Sequence, residues 1–333
     1  MALPHARLGR TGLRVSRLCL GTMTFGLQCD EATSFAILDR AFDAGITFLD
    51  TADMYPIGGD FTTVGRTEEI IGEWMRAGKR RDDVVLATKC SGAMGPNPWD
   101  AGNSRMRIMT AIDESLRRLG TDHIDLYQLH FHDPITPIEE SLAALDDLVR
   151  MGKVRYVGCS NFHAYQVARA LGRSEARGLV RFDTVQPRYN LLFREFEREL
   201  FPLCADEGVG VIPFNPIAGG MLSGKHRPGP PTAGTRFTLG NASQTYQDRY
   251  WHDRAFASVT ELQAVADEAG LDLVTMAVAW VLANPVVSAP IIGVSRPEQL
   301  DANVAAVDVT LDADLKARLD AMTVQYRWGD ADR

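Results

Sequence analysis

Two patterns alternate along the chain. Short apolar, β-rich runs occupy 18–21, 47–50, 84–89, 124–130, 154–160, 184–186, 210–215 and 289–293. Between them lie stretches whose apolar residues recur at helical spacing. Phe35, Leu38, Ala41 and Phe42 form one such face before Gly45. Ile108, Ala111, Ile112, Ser115, Leu116 and Leu119 form another before Gly120, and Ile138, Leu142, Leu145 and Leu148 a third before Gly152. Each stripe is one face of a helix, and the glycine after it marks where that helix stops.

Strand followed by helix, repeated eight times, predicts a parallel sheet with helices outside it. No change of composition divides the series. The expectation is therefore an α/β protein with a closed (β/α)8 TIM barrel rather than an open doubly wound sheet, residues 1–333 forming one domain. Segment 5–16, with a turn at Thr11-Gly12, predicts an N-terminal hairpin closing that end of the barrel. Segment 312–322 predicts an extra C-terminal helix packed outside it. The connections 91–104 and 225–253 are rich in Gly, Pro and polar residues and too long for ordinary loops, which in a compact barrel makes them functional lids or disordered inserts.

Composition narrows the function classes. Lys and Arg number 35 against 43 Asp and Glu, a net charge of −8 in 333 residues. That balance disfavours a nucleic-acid partner but still allows a local basic patch for an anionic cofactor. Five scattered cysteines without a C-x-x-C supply neither a disulfide framework nor a zinc knuckle. With no apolar leader at the N-terminus and no uninterrupted apolar run of about eighteen residues, a cytoplasmic protein without a membrane partner is expected.

The strands end on polar or ionisable residues: Asp50, Lys89, His130, then Ser160 and Asn161, then Gln186, then Asn215. One such end means only that a surface loop follows. In a closed parallel barrel all of them converge on one rim, where the active sites of this fold sit. The sharpest group is Asp50, Tyr55, Lys89 and His130. A free phenol, with a pKa near ~10, is a poor proton donor at neutral pH. A nearby ammonium lowers that value, so Lys89, held charged by Asp50, would bring Tyr55 toward general-acid strength while His130 orients a substrate oxygen. The competing interpretation is an ordinary buried Asp–Lys pair beside a tyrosine that merely packs. His130, His132 and Asp133 on one loop make a poor zinc set, and no metal is expected. The stretch GGMLSGK (219–225) satisfies G-x-x-x-x-G-K, but His226 stands where a magnesium-binding Ser or Thr would be, so a P-loop is not indicated. No G-x-G-x-x-G occurs either.

The sequence resembles the aldo-keto reductase superfamily. The matching segments run in order over nearly the whole chain: GITFLDTADMY (45–55), ATK (87–89), DLYQLH (125–130), GCSNF (158–162), VQPRYN (185–190), NPIAGGMLSGK (215–225) and IIGVSRPEQLDAN (291–303). The YNLL and GGxLxGK stretches are similar to bacterial and channel-β-subunit-like members. The resemblance implies that Asp50, Tyr55, Lys89 and His130 form the catalytic tetrad. It also implies a nicotinamide cofactor. Ser160, Asn161 and Gln186 would hold the nicotinamide amide, Phe214 would stack on the ring, and Gly21, Thr22, Met23 and Asp50 would line its site. The amides of Ile217, Ala218, Gly219, Gly220 and Met221, with the Lys225 ammonium, would face the pyrophosphate, with Asn215 and Pro216 beside them at the cofactor; the segment 225–253 is expected to fold over the cofactor, with Arg236 reaching a phosphate. Gly293, Ser295, Arg296, Gln299 and Asn303 would meet the adenosine end, with Ser295 and Arg296 at the 2′-phosphate of NADPH. Gln299 and Asn303, four apart, share one helix face.

Four departures bear on detail. Phe214 stands where Tyr or Trp is more common, Asn215 where Ser is frequent, and Ala302 where an acidic residue often contacts adenine. Pro56 and the insert IGGDFTTVGR follow Tyr55, which puts substrate analogies in doubt. The expected activity is reduction of a small-molecule aldehyde or ketone with NADPH, at a pocket rimmed by Met23, Phe25, Met54, Ser91, Phe131 and Trp251. Two rivals remain: an NADPH-binding sensor with negligible turnover, and a Schiff-base lyase using Lys89. A homo-oligomer is compatible with the sequence but not predicted by it.

Overall fold

The computed structural model describes residues 3–78 and 80–330. A two-stranded antiparallel hairpin, β1 (His5–Arg7) and β2 (Arg14–Ser16), precedes an eight-stranded parallel sheet. Its strands are β3 (Cys19–Gly21), β4 (Phe48–Asp50), β5 (Val85–Cys90), β6 (Ile124–Leu129), β7 (Val154–Ser160), β8 (Thr184–Gln186), β9 (Gly210–Val211) and β10 (Ile291–Ile292). They lie in the order β10-β3-β4-β5-β6-β7-β8-β9. Bridges between Val211 and Val287 and between Phe214 and Ile291 join the outer strands. The amides of Ser288 and Ile291 donate to Val211 O and Pro213 O at 2.8 Å, which closes the barrel. The last two strands are shorter than the apolar runs predicted. Pro213 and Pro290 interrupt those runs, and a proline has no N–H to give to a ladder.

Alternation along the strands sorts the side chains into two shells. Cys19, Phe48, Ala87, Leu126, Ile212, Ala289 and Ile291 point inward and pack with Leu8 and Val15 of the hairpin segment, which plugs the N-terminal end. Two residues further along the same faces come Gly21, Asp50, Lys89, Gln128, Phe214 and Gly293. The period of two therefore carries the interior from an apolar plug to a polar rim. Leu20, Leu49, Leu86, Tyr127, Leu129, Val157, Val185 and Ile292 face outward into the larger core beneath the helices.

The predicted helices form at Glu31–Asp43, Arg105–Leu119 and Ile138–Arg150. Ser104 caps the second, and Gly120 ends it in the left-handed conformation at φ +64°. The C-terminal helix Ala313–Met322 is capped by Asp312, which accepts from Leu315 N at 2.8 Å. Segment 225–253 is ordered: two short turns lead into the helix Ser243–Tyr250. Phe237 is fully buried, with its ring centroid 4.7 Å from that of Trp251. Gln28 Nε2 donates to Gly234 O at 3.0 Å and Asn241 Nδ2 to Gly59 O at 3.1 Å, tying the segment across the barrel mouth. Among the described residues no helix is long and apolar enough to cross a membrane.

Candidate active site

The register of neighbouring strands sets the floor of the site. Gly21 pairs with Asp50, Asp50 with Ala87, Lys89 with Gln128, and Ser160 with Gln186. Lys89 Nζ, fully buried, donates to Asp50 Oδ2 at 2.5 Å and to Thr51 O at 2.7 Å. Asp50 Oδ1 accepts from Gln186 Nε2 at 2.9 Å and from Gln128 Nε2 at 3.2 Å, so the carboxylate is held from both sides. Lys89 Nζ lies 5.1 Å from the Tyr55 ring centroid, and the Tyr55 and His130 rings meet edge-on at 5.7 Å. His130 also stacks on Phe131 at 4.3 Å. Its amide donates to Ser91 Oγ at 3.0 Å, and Ser91 donates in turn to Asn103 Oδ1. Loop 91–104 thereby fixes the histidine.

Burial works against the Lys89 ammonium, but Asp50 and then Tyr55 outweigh it and hold its pKa above the usual lysine value. Burial also raises the Tyr55 pKa, with Lys89 pulling the other way. This corrects the expectation of a lowered phenol: the cation is present, but taking a would-be phenolate out of water costs more than the ammonium returns. Burial, reinforced by Lys89, pushes His130 well below the usual histidine value, so its ring is neutral and has one N–H to donate.

The group opens into a cavity of about 960 Å³ that crosses the barrel mouth. Its wall contains Gly21, Thr22, Met23, Asp50, Tyr55, His130, Ser160, Asn161, Gln186, Phe214, Asn215, Pro216, Ile217, Gly219, Gly220, Lys225, Arg236, Gly293, Ser295, Gln299 and Asn303. Lys89 lies below this wall. The side chains of Ala218 and Met221 belong to the hydrophobic core, and the amides of Ala218 and Gly220 already donate to Asn215 O and Ile217 O at 2.9 Å. The five-amide cradle expected there is therefore only partly available. Arg296 is 67% exposed, with Nε 3.8 Å from Glu298, and is absent from the wall. It still lies near enough to Lys225 to add to the effect of burial in lowering that pKa. Of the expected substrate rim, Met23, Met54 and Phe131 line the cavity. Phe25 is core, Ser91 is spent on His130 and Asn103, and Trp251 packs on Phe237. The helix Ser243–Tyr250 and the stretch 56–61 take their places.

The donor set fits a nicotinamide dinucleotide. Buried polar atoms without a partner include Gln28 Oε1, His130 Nδ1, Asn215 Nδ2, Arg236 Nη1 and Asn303 Oδ1, all from residues of this one wall. Unpaired buried polar groups are costly, and five in the residues of one wall mark it as strongly polar. Asn161 Nδ2 is committed to His130 O and Ser160 Oγ, both at 3.0 Å, and Gln186 Nε2 to Asp50. Their carbonyl oxygens stay available to accept from an amide such as a carboxamide. At Gly219, φ +67°, a Cβ would lie 2.7 Å from the Tyr246 ring, so only glycine lets the loop pass there.

Several site residues carry no motif in the sequence. Gln128, buried beneath the wall and bonded to Asp50, was legible as the inward residue two before His130. Gln28, Tyr246 and Arg249 carried no such signal, because only folding brings their segments to the rim. The chain matches the Aldo/keto reductase family over residues 17–323. It is 43% identical over 319 residues to the uncharacterized oxidoreductase YrpG of Bacillus subtilis (strain 168), with 94% of each chain covered. It is 37% identical over 310 residues to a probable voltage-gated potassium channel subunit beta of Arabidopsis thaliana, with 92% of each covered. To the versiconal hemiacetal acetate reductase of Aspergillus parasiticus the identity is 33% over 340 residues, covering 93% of this chain and 94% of that one.

Proposed function

The chain belongs to the aldo/keto reductase family, an oxidoreductase fold, and on that footing we propose that it reduces an aldehyde or ketone to an alcohol with NADPH. The observation that carries this reading is the buried Asp50–Lys89 pair beneath Tyr55, opening into a cavity whose polar wall suits a dinucleotide. When bound, the dihydronicotinamide supplies the hydride. Asn161, Gln186 and Ser160 would hold its carboxamide, Phe214 would stack on the ring, Arg236 and Lys225 would take the phosphates, and Gln299 and Asn303 the adenosine. The neutral His130 donates to the carbonyl oxygen and aligns it. Tyr55 gives its hydroxyl proton to that oxygen as negative charge develops there, and Lys89, kept charged by Asp50, stabilises the phenolate left behind. The raised pKa leaves the phenol protonated at neutral pH but makes it a weaker acid, so the transfer depends on Lys89 stabilising the phenolate as it forms.

The same reading takes residues 1–333 as one barrel domain acting in the cytoplasm. A Schiff-base role for Lys89 is disfavoured, since its ammonium is buried, charged and bonded to Asp50 and Thr51. An NADPH-binding module with slow turnover is the second reading, supported by the likeness to the plant channel subunit. A panel of aldehydes and ketones scored by NADPH consumption, backed by single-turnover runs, decides between them. Turnover of at least one carbonyl class is expected; binding of NADPH without oxidation by any carbonyl would refute the reductase reading.

A further inference from the structure

The helix Ser243–Tyr250 presents one face to the cavity: Ala242, Thr245, Tyr246 and Arg249 follow the i, i+3, i+4, i+7 spacing and all belong to the wall. Tyr246 lies close enough to Tyr55 to add to the burial that raises its pKa, so this face borders the reacting centre. Arg249 sits one turn further along, a rise of about 4.5 Å.

The other charged groups of the wall are accounted for. Asp50 is bound to Lys89, and Asp60 accepts from Thr62 N at 2.8 Å and Thr62 Oγ1 at 2.6 Å. Asp272 caps a helix, accepting from Val274 N at 2.8 Å. Lys225 and Arg236 serve the phosphates in the reading above. The guanidinium of Arg249 has neither a carboxylate nor a hydrogen-bond partner among the described residues, although it is only half-exposed. An unpaired guanidinium beside a reaction centre favours an anionic ligand, with which it forms paired charge-assisted hydrogen bonds.

We propose that Arg249 is a specificity-determining residue that binds a carboxylate on the substrate, so that the substrate class is a carbonyl compound bearing a carboxylate. Arg236 lies 5.4 Å from the Tyr246 ring centroid but is taken by the phosphates in the reading above, which leaves Arg249 as the cation for a single negative charge on the substrate. Thr245, whose hydroxyl is also unpaired among the described residues, flanks the same path. The assignment rests on the reductase reading for the position of the carbonyl, but its binding half is separable from turnover.

The probes are matched pairs: 4-carboxybenzaldehyde against 4-carbamoylbenzaldehyde in turnover, and 4-(hydroxymethyl)benzoate against 4-(hydroxymethyl)benzamide in calorimetric binding to the cofactor-loaded protein. The carboxylate member should be favoured by about ten- to a hundredfold in each pair, the range for hydrogen bonds to a charged group. Arg249→Met should bring both ratios close to one, acting through KM, and Arg249→Lys should restore part of each. Equal handling of the pair by the unmodified protein, or ratios unchanged in Arg249→Met, would overturn the proposal. So would loss of NADPH affinity in Arg249→Met as large as the loss of selectivity, which would assign the guanidinium to the cofactor. Carboxylate-selective binding without turnover of either aldehyde would sustain Arg249 as the anion site and refute the reductase reading instead.

Discussion

Replacing Tyr55 by Phe tests the proposed chemistry with little disturbance of the fold. The substitution keeps the ring that meets His130 edge-on at 5.7 Å and lies 5.1 Å from Lys89 Nζ, and removes only the hydroxyl. Neighbouring groups lose little: Asp50 Oδ2 and Thr51 O still bind Lys89, and Gln186 and Gln128 still hold Asp50 Oδ1. Tm should therefore change by no more than a surface substitution would cause. The rate should fall much further. Removing a general acid costs about 10²–10⁴-fold, or roughly 2.7–5.5 kcal/mol on the barrel's reaction barrier. Because the phenol is buried and its pKa raised, solvent water has poor access to the oxygen it protonates and should not substitute for it. The assay is single-turnover oxidation of bound NADPH by a carbonyl that the unmodified protein reduces, with fluorescence quenching reporting cofactor affinity. Unchanged quenching with a rate at least a hundredfold lower is expected. Retention of more than about a tenth of the rate would show that the proton comes from elsewhere.

Three further predictions follow from the same geometry. The pKa of His130 is pushed well below its usual value and that of Tyr55 is raised, so His130 stays neutral and Tyr55 protonated between about pH 6 and 9; kcat/KM for reduction should be flat there, and a titration near the ordinary histidine value would refute the neutral His130. Arg296→Ala should weaken NADPH binding about tenfold and leave NADH nearly unaffected, the lower end of the range for a charge-assisted bond because the side chain is largely solvated; equal weakening of both, or a native preference for NADH, would remove Arg296 as the selector. Proteolysis within 225–253 should require local opening and slow markedly with NADPH, since the segment crosses the cavity and Arg236 lines it; identical rates with and without cofactor would refute its role as a cover.

Much of the scaffold is determined by periodicity alone. Alternating strand and helix patterns specify the barrel, because each element must bury one face. The two-residue period along β5 and β6 already places Lys89 above Ala87 and Gln128 above Leu126. The four residues of the proposed tetrad are legible for the same reason: they end strands or follow one closely, and strand ends of a parallel barrel meet at one rim. Other properties come from contacts between distant segments and have no local signature. Burial of Tyr55 depends on how distant segments pack around the mouth, and it reverses the pKa expected from Lys89 alone. The availability of backbone amides near Gly219 depends on a loop whose own turns consume two of them. The exposure of Arg296, and the arrival of Arg249 at the substrate wall, depend on how long connections pack across the mouth. Strand and helix formation is governed by neighbours in sequence, whereas solvation and charge pairing at the site are governed by neighbours in space.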